Sequence, residues 1–184
     1  MDLKAAEAEI GELYNEREKV MPLNRKAVTT CAAAIRQVHV GNIRGAKAMV
    51  KDAAALIAQL EKAVATEPRL EPFLGTPYQE YVELMVLISM VEEEGMPKLD
   101  VPADAYLLGS LDAVGELKRV CMELLAKGKR KEALALFGKM EEMYYSMEGY
   151  SFPNSLVPGF RHKQDAMKAV LERLHETVCG ARMR

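Results

Sequence analysis

The sequence predicts an all-α protein, an antiparallel bundle of six to seven helices, and two observations carry that expectation. Apolar residues step by three and four through nearly every segment, the period of an amphipathic helix, and no strand-like alternation survives anywhere. Proline and glycine collect in brief stretches between these segments, so the connections are short. With 184 residues, 49% of them hydrophobic, the chain can bury a core without disulfides, and it is read as one domain over residues 1–184.

Leu3, Ala6, Ile10 and Leu13, followed by Ala27, Cys31, Ile35 and Val38, predict helix over residues 2 to 40. Pro22 removes a backbone donor inside that pattern, which implies a kink or two helices in series, and Gly41 with Asn42 ends the segment. A second helix is expected from about Arg44 to Thr66, with Met49, Val50, Ala53, Leu56, Ile57, Leu60 and Val64 on one face. Pro68, Pro72, Gly75 and Pro77 then read as a loop before a third helix, Tyr78 to Glu93. After Gly95, Pro97 and Pro102, a fourth runs from Ala103 to Ala126 and a fifth from about Lys131 to Met147. Gly149 to Gly159 reads as an ordered loop, and a last helix runs to about Val178.

No run of about 18 apolar residues occurs, and no basic-then-apolar leader follows Met1, so neither a membrane span nor a signal peptide is expected and the chain reads as cytoplasmic. Cys31, Cys121 and Cys179 are odd in number, far apart and without a Cys-x-x-Cys, which argues for buried reduced thiols rather than a disulfide framework or a zinc site. A formal net charge of −2 gives no global attraction to nucleic acid, so RNA binding would need a local basic surface.

The chemistry-bearing feature is a pair of carboxylate pairs. Glu80 and Glu83, at i and i+3, continue the stripe of Leu84, Leu87 and Val91, so they are expected to face the bundle. Asp112 and Glu116, at i and i+4 on the next helix, share a side with Leu108, and Gly115 between them would permit close approach of another backbone or a ligand. Like charges facing one core repel, and a hard cation such as Mg²⁺ or Mn²⁺ between them would relieve that. An exposed helix face, or neutralisation by a neighbour such as Arg119, would account for the same spacing.

These residues also carry a resemblance. Gln79-Glu80-Tyr81-Val82-Glu83, with Tyr106-Leu107-Leu108-Gly109 leading into Asp112-Ala113-Val114-Gly115-Glu116-Leu117, resembles the translin family in its translin-associated factor X branch. Gly149-Tyr150-Ser151-Phe152-Pro153-Asn154 and Pro158-Gly159-Phe160-Arg161 resemble its short archaeal-type members, and Glu94 to Val101 stands where eukaryotic members carry a long insertion. The resemblance implies a Mg²⁺-dependent (or Mn²⁺-dependent) endoribonuclease in which Glu80, Glu83, Asp112 and Glu116 are both metal ligands and catalytic residues. Water activated by the metal would hydrolyse the RNA phosphodiester inside a closed homo-oligomeric shell, an octamer by the same resemblance. The alternative it implies is a non-catalytic RNA- or DNA-binding assembly protein, like translin itself.

Arg25 and Arg36, eleven residues apart on one helix, project from nearly the same face and form a candidate RNA phosphate track. Arg17 would fall about 80° away on an unbroken helix and is its weakest member, and a solvated face explains all three equally. Lys127, Lys129, Arg130 and Lys131 complement the C-terminal dipole of the fourth helix. Glu172-x-x-His175 lacks the second Glu-x-x-His that a di-iron site needs; Tyr144, Tyr145 and Tyr150 could stack on bases, although Met140, Met143 and Met147 beside them read as core.

Overall fold

Asp2 starts the first helix by accepting a hydrogen bond from the Ala5 amide at 2.8 Å, and its apolar stripe carries it without a break to His39. In the computed structural model, residues 1–180 are described except for the side chain of Cys179, so the thiol expectation there lies outside the described residues. The elements are α1 (Leu3–His39), α2 (Ile43–Ala65), a short 3-10 helix (Pro68–Leu74), α3 (Gly75–Val91), α4 (Ala103–Ala126), α5 (Arg130–Glu148) and α6 (Phe160–Gly180). No strand occurs among the described residues.

Pro22 lies inside α1 rather than between two helices. It forfeits one backbone hydrogen bond, while Val20 and Ala27 on either side are buried and hold the helix against its neighbours. The turn after α1 is a Schellman closure: Gly41 takes a φ of +79°, its amide bonds to Val38 O and that of Asn42 bonds to Gln37 O, both at 2.9 Å. Asn42 then caps α2 by accepting from the Gly45 amide at 3.0 Å.

The proline-rich stretch expected as a loop is the 3-10 helix, and α3 begins at Gly75, earlier than the periodicity suggests. Pro77 falls in the first turn of α3, where no helical amide partner is needed. Among the described residues, no helix is long and apolar enough to cross a membrane.

One apolar cluster draws buried residues from all six α-helices, among them Cys31, Ala53, Leu87, Leu117, Met140 and Leu174. A smaller one, formed by Val20, Leu60, Val64 and Leu70, ties the 3-10 helix to α1 and α2. Arg130 Nη2 donates to the Val178 carbonyl at 2.7 Å, so this member of the basic cluster serves the end of α6 rather than the dipole of α4. The first turns of the α1 stripe are uncovered: Leu3 and Ile10 are exposed, and packing begins at half-buried Leu13 against the smaller cluster, since 37 residues of α1 outreach the 23 of α2.

Helices joined by short turns run antiparallel. By contrast α3 and α4, joined by the long 92–102 segment, run side by side in the same direction. Near their starts a Cβ on Gly109 would stand 2.5 Å from Gln79 O and 2.8 Å from Val82 Cβ, and near their ends Met90 and Val91 share a groove with Val120 and Leu124. The segment between doubles back along α3, where Leu99 and Val101 line a cleft with Tyr78 and Tyr81, and Tyr106 Oη donates to Pro97 O at 2.7 Å. Close approach therefore occurs at Gly109. It does not occur at Gly115, where an added Cβ meets nothing within 4 Å.

Gly109→Ala is expected to lower stability by about 1–3 kcal/mol, because the new methyl group meets a backbone carbonyl that cannot swing away. Gly115→Ala should raise the melting temperature slightly through helix propensity alone. Thermal melts of the two variants followed by circular dichroism check the contrast.

Candidate functional site

The Gly109 contact fixes what stands beside it. One turn further along α3 and α4, Glu80 and Glu83 come alongside Asp112 and Glu116, all four half-buried. The structure brings together the two carboxylate pairs singled out from the sequence, while Glu172 lies elsewhere on α6.

Burial, and then repulsion, raises the two acids of α3. Burial, then the charges of Glu80, Asp112 and Glu116, pushes the Glu83 carboxyl up to about 8. Burial and Asp112 raise Glu80, with Lys163 pulling the other way. Buried Cys31 on α1 is raised to about 12 by burial and by Glu80 and Glu83, so it stays a thiol and is no nucleophile. Cys121, also buried, is held up at about 11.

Two cationic or proton-bearing groups reach the cluster from distant helices. His39, at the last turn of α1 with a side chain only 3% exposed, shares a hydrogen bond from Nε2 with Glu116 Oε2. A carboxylate can only accept, so Nε2 carries the proton, while Nδ1 is buried without a partner among the described residues. Lys163, in the first turn of α6, forms an ion pair with Asp112 Oδ2 and donates to Gln79 Oε1 at 3.4 Å. Glu80 and Glu83 make no hydrogen bond or ion pair within the described residues. Arg119 does not neutralise the cluster; it lies exposed, 3.4 Å from Glu123.

Four carboxyl groups, one held protonated by burial and then by the charges of the others, are the donor chemistry of a hard divalent ion. Among the described residues no three acidic, histidine or cysteine groups converge on one point as placed, with Asp112 drawn onto Lys163 and Glu116 onto His39. The donor set fits such an ion. An ion there would contend with Lys163 for Asp112 and with His39 for Glu116.

Among the described residues, none of the arginines singled out from the sequence forms an ion pair with the four acids. Arg25 and Arg36 are exposed on α1, and because the helix is unbroken Arg17 points about 80° away from them. There its guanidinium lies over the Phe73 ring, 5.5 Å from the centroid, and bonds to Glu18 at 2.5 Å. His162 is exposed, and its neighbour Lys163 is the residue that faces the acids. Tyr144 is buried with Met140, Met143 and Met147, whereas Tyr145 and Tyr150 are exposed. His175 packs against the Phe137 ring, 5.8 Å between centroids. The spacing of His39 and Lys163 in the sequence carries no sign of their place here, since they lie 77 and 51 residues from the acids they meet.

The sequence profile described as the Translin family matches residues 79–184, the part that begins one residue before Glu80. An uncharacterised protein of Methanocaldococcus jannaschii is 29% identical over 167 residues, covering 88% of this chain and 74% of that protein. The structure of AfC3PO in complex with duplex RNA superposes with a TM-score of 0.89 at 28% identity, covering 99% of this chain and 97% of the other. A crystal structure of AfC3PO gives the same score and coverage at 29% identity. Apo-NeC3PO, at 20% identity and a TM-score of 0.84, shares the fold over 97% of this chain and 96% of its own.

The raised carboxyl has a stability consequence. Glu83 ionises near 4.5 in the unfolded chain and near 8 in the fold, so its contribution is fully present below pH 4.5 and is lost as pH rises toward 8. In EDTA the melting temperature is expected to fall between pH 5 and 8, and Glu83→Gln should flatten that slope and raise the midpoint at pH 8. Melts across that range check it; an unchanged slope in the variant would assign the titration to another group.

Proposed function

The chain belongs to the translin family, and from that membership we propose that it is a metal-dependent endoribonuclease that binds RNA as a homo-oligomer. The observation that carries this reading is the meeting of Glu80 and Glu83 with Asp112 and Glu116 across the α3–α4 contact, where burial and then the neighbouring charges keep Glu83 protonated. The acids match, position by position, the set that the translin-associated factor X resemblance implies.

In this reading Glu83 and Glu116 are the principal ligands of Mg²⁺ or Mn²⁺, and Glu80 and Asp112 complete the shell or orient the attacking water. The bound ion supplies Lewis-acid polarisation of a phosphoryl oxygen and water acidified toward neutral pH. His39 holds Glu116 in one orientation, and no side-chain nucleophile takes part. Arg25 and Arg36, with Arg17 turned aside, supply sequence-independent charge to the RNA backbone. The likeness to AfC3PO solved with duplex RNA supports RNA as the ligand. The uncovered α1 stripe, with Leu3 and Ile10 exposed, supports self-association into an oligomer, an octamer in this reading.

The second reading, a non-catalytic RNA-binding assembly protein, is favoured by one observation: Asp112 and Glu116 are each already paired within the chain. Cleavage separates the two readings.

Labelled RNA incubated with Mg²⁺ or Mn²⁺ is expected to yield 5′-phosphate and 3′-hydroxyl ends, with EDTA abolishing the reaction. Glu83→Gln and Asp112→Asn should each lower cleavage by about two orders of magnitude while RNA binding and oligomeric state persist. Full activity in both variants, or 2′,3′-cyclic phosphate ends, would exclude these acids as the catalytic centre. Arg25→Ala and Arg36→Ala should weaken binding uniformly across sequences, each reducing the salt slope by about 1 in a filter-binding titration; an unchanged slope would remove the phosphate track.

A further inference from the structure

Lys163 stands where three helices meet. Its backbone amide closes the first turn of α6 on Gly159 O at 3.0 Å, and its ammonium spans from Asp112 on α4 to Gln79 on α3. The charge it brings is felt at Glu80 and Glu83 as well. With 29% of its side chain exposed, Lys163 is neither sealed into the core nor lost in solvent. A lysine ammonium is a compact point charge on a flexible four-carbon stem, so it can let go of one oxygen without disturbing its helix.

Asp112 Oδ2 is thus already held by a cation that the chain itself provides. A divalent ion drawn to this carboxylate contends with the ammonium for it, because the two positive charges repel while both remain near the cluster. Resting on the metal-site reading above, we propose that Lys163 is an internal counter-cation that competes with the divalent ion for Asp112 and so sets the ion concentration at which the site loads. Without the ion, Lys163 offsets part of the repulsion among four acids and stabilises the α3–α4–α6 junction. With the ion bound, that role is redundant. Fold stability and ion affinity are therefore linked through one side chain, and removing it moves them in opposite directions.

The test is a titration of the intact chain with Mn²⁺ alone, followed by isothermal calorimetry and by the Mn²⁺ electron-spin signal. Lys163→Met is expected to bind Mn²⁺ about three- to ten-fold more tightly than the natural chain. Its melting temperature should be lower in EDTA, and Mn²⁺ should raise it by more than it raises that of the natural chain. Lys163→Arg, which keeps the charge, should bind Mn²⁺ close to the natural affinity. A Lys163→Met variant that binds no more tightly, and melts lower by the same amount with and without Mn²⁺, would reduce Lys163 to a tie between helices and overturn the competition alone. Failure of the natural chain to bind Mn²⁺ would overturn the metal-site reading and this inference with it.

Discussion

Everything at the acidic cluster depends on the close approach of α3 and α4 at Gly109. Only hydrogen at that position leaves room for the Gln79 carbonyl and the Val82 side chain, which a methyl group would meet at 2.5 and 2.8 Å. Because the two helices run in the same direction, the residues one turn beyond the contact on each come level with one another. Those residues are acids. A pair of helices held a few ångströms further apart would keep the fold and disperse the cluster.

The cluster works against the fold that builds it. Half-burying four carboxylates together pushes Glu83 up to about 8 through burial and three neighbouring charges, and such a group destabilises the folded chain at neutral pH. The surrounding structure offsets this with His39 from the end of α1 and Lys163 from the start of α6, each on one acid. Glu80 and Glu83 are left without a hydrogen-bonding partner in the described residues, and they are the acids on the helix whose other faces are packed most completely: Val82, Leu84, Val86 and Leu87 beside them are wholly buried. Concentrated like charge on a rigid, tightly packed scaffold is a recurrent arrangement where a site is built for a ligand rather than for stability.

The basic and acidic features differ in exposure: Arg25 and Arg36 are open to solvent, whereas the four acids are half-buried. Arg25 and Arg36 lie on the solvent side of α1, the helix whose buried side contributes Cys31 and His39 to the acidic region. One helix therefore links an exposed cationic face to the cluster behind it. The first turns of α1 reach past α2 and leave Leu3 and Ile10 uncovered, an apolar stripe that a second copy of the chain could bury.

Periodicity alone determined the helices, nearly to their ends, and the spacing of Glu80 with Glu83 and Asp112 with Glu116 singled out the acids, because both are properties of a single helix read along its own axis. The end of α3 shows where local reading stops. The chain turns at Glu93 with a φ of +66°, a left-handed residue that no glycine announces, and the helix closes two residues earlier than its pattern suggests. The role of Gly109 rather than Gly115, and the arrival of His39 and Lys163 beside acids 77 and 51 residues away, were decided only by tertiary structure. Which helix faces which depends on the direction in which the 92–102 segment runs, and a pattern of spacing within one helix holds no information about the partner that covers it.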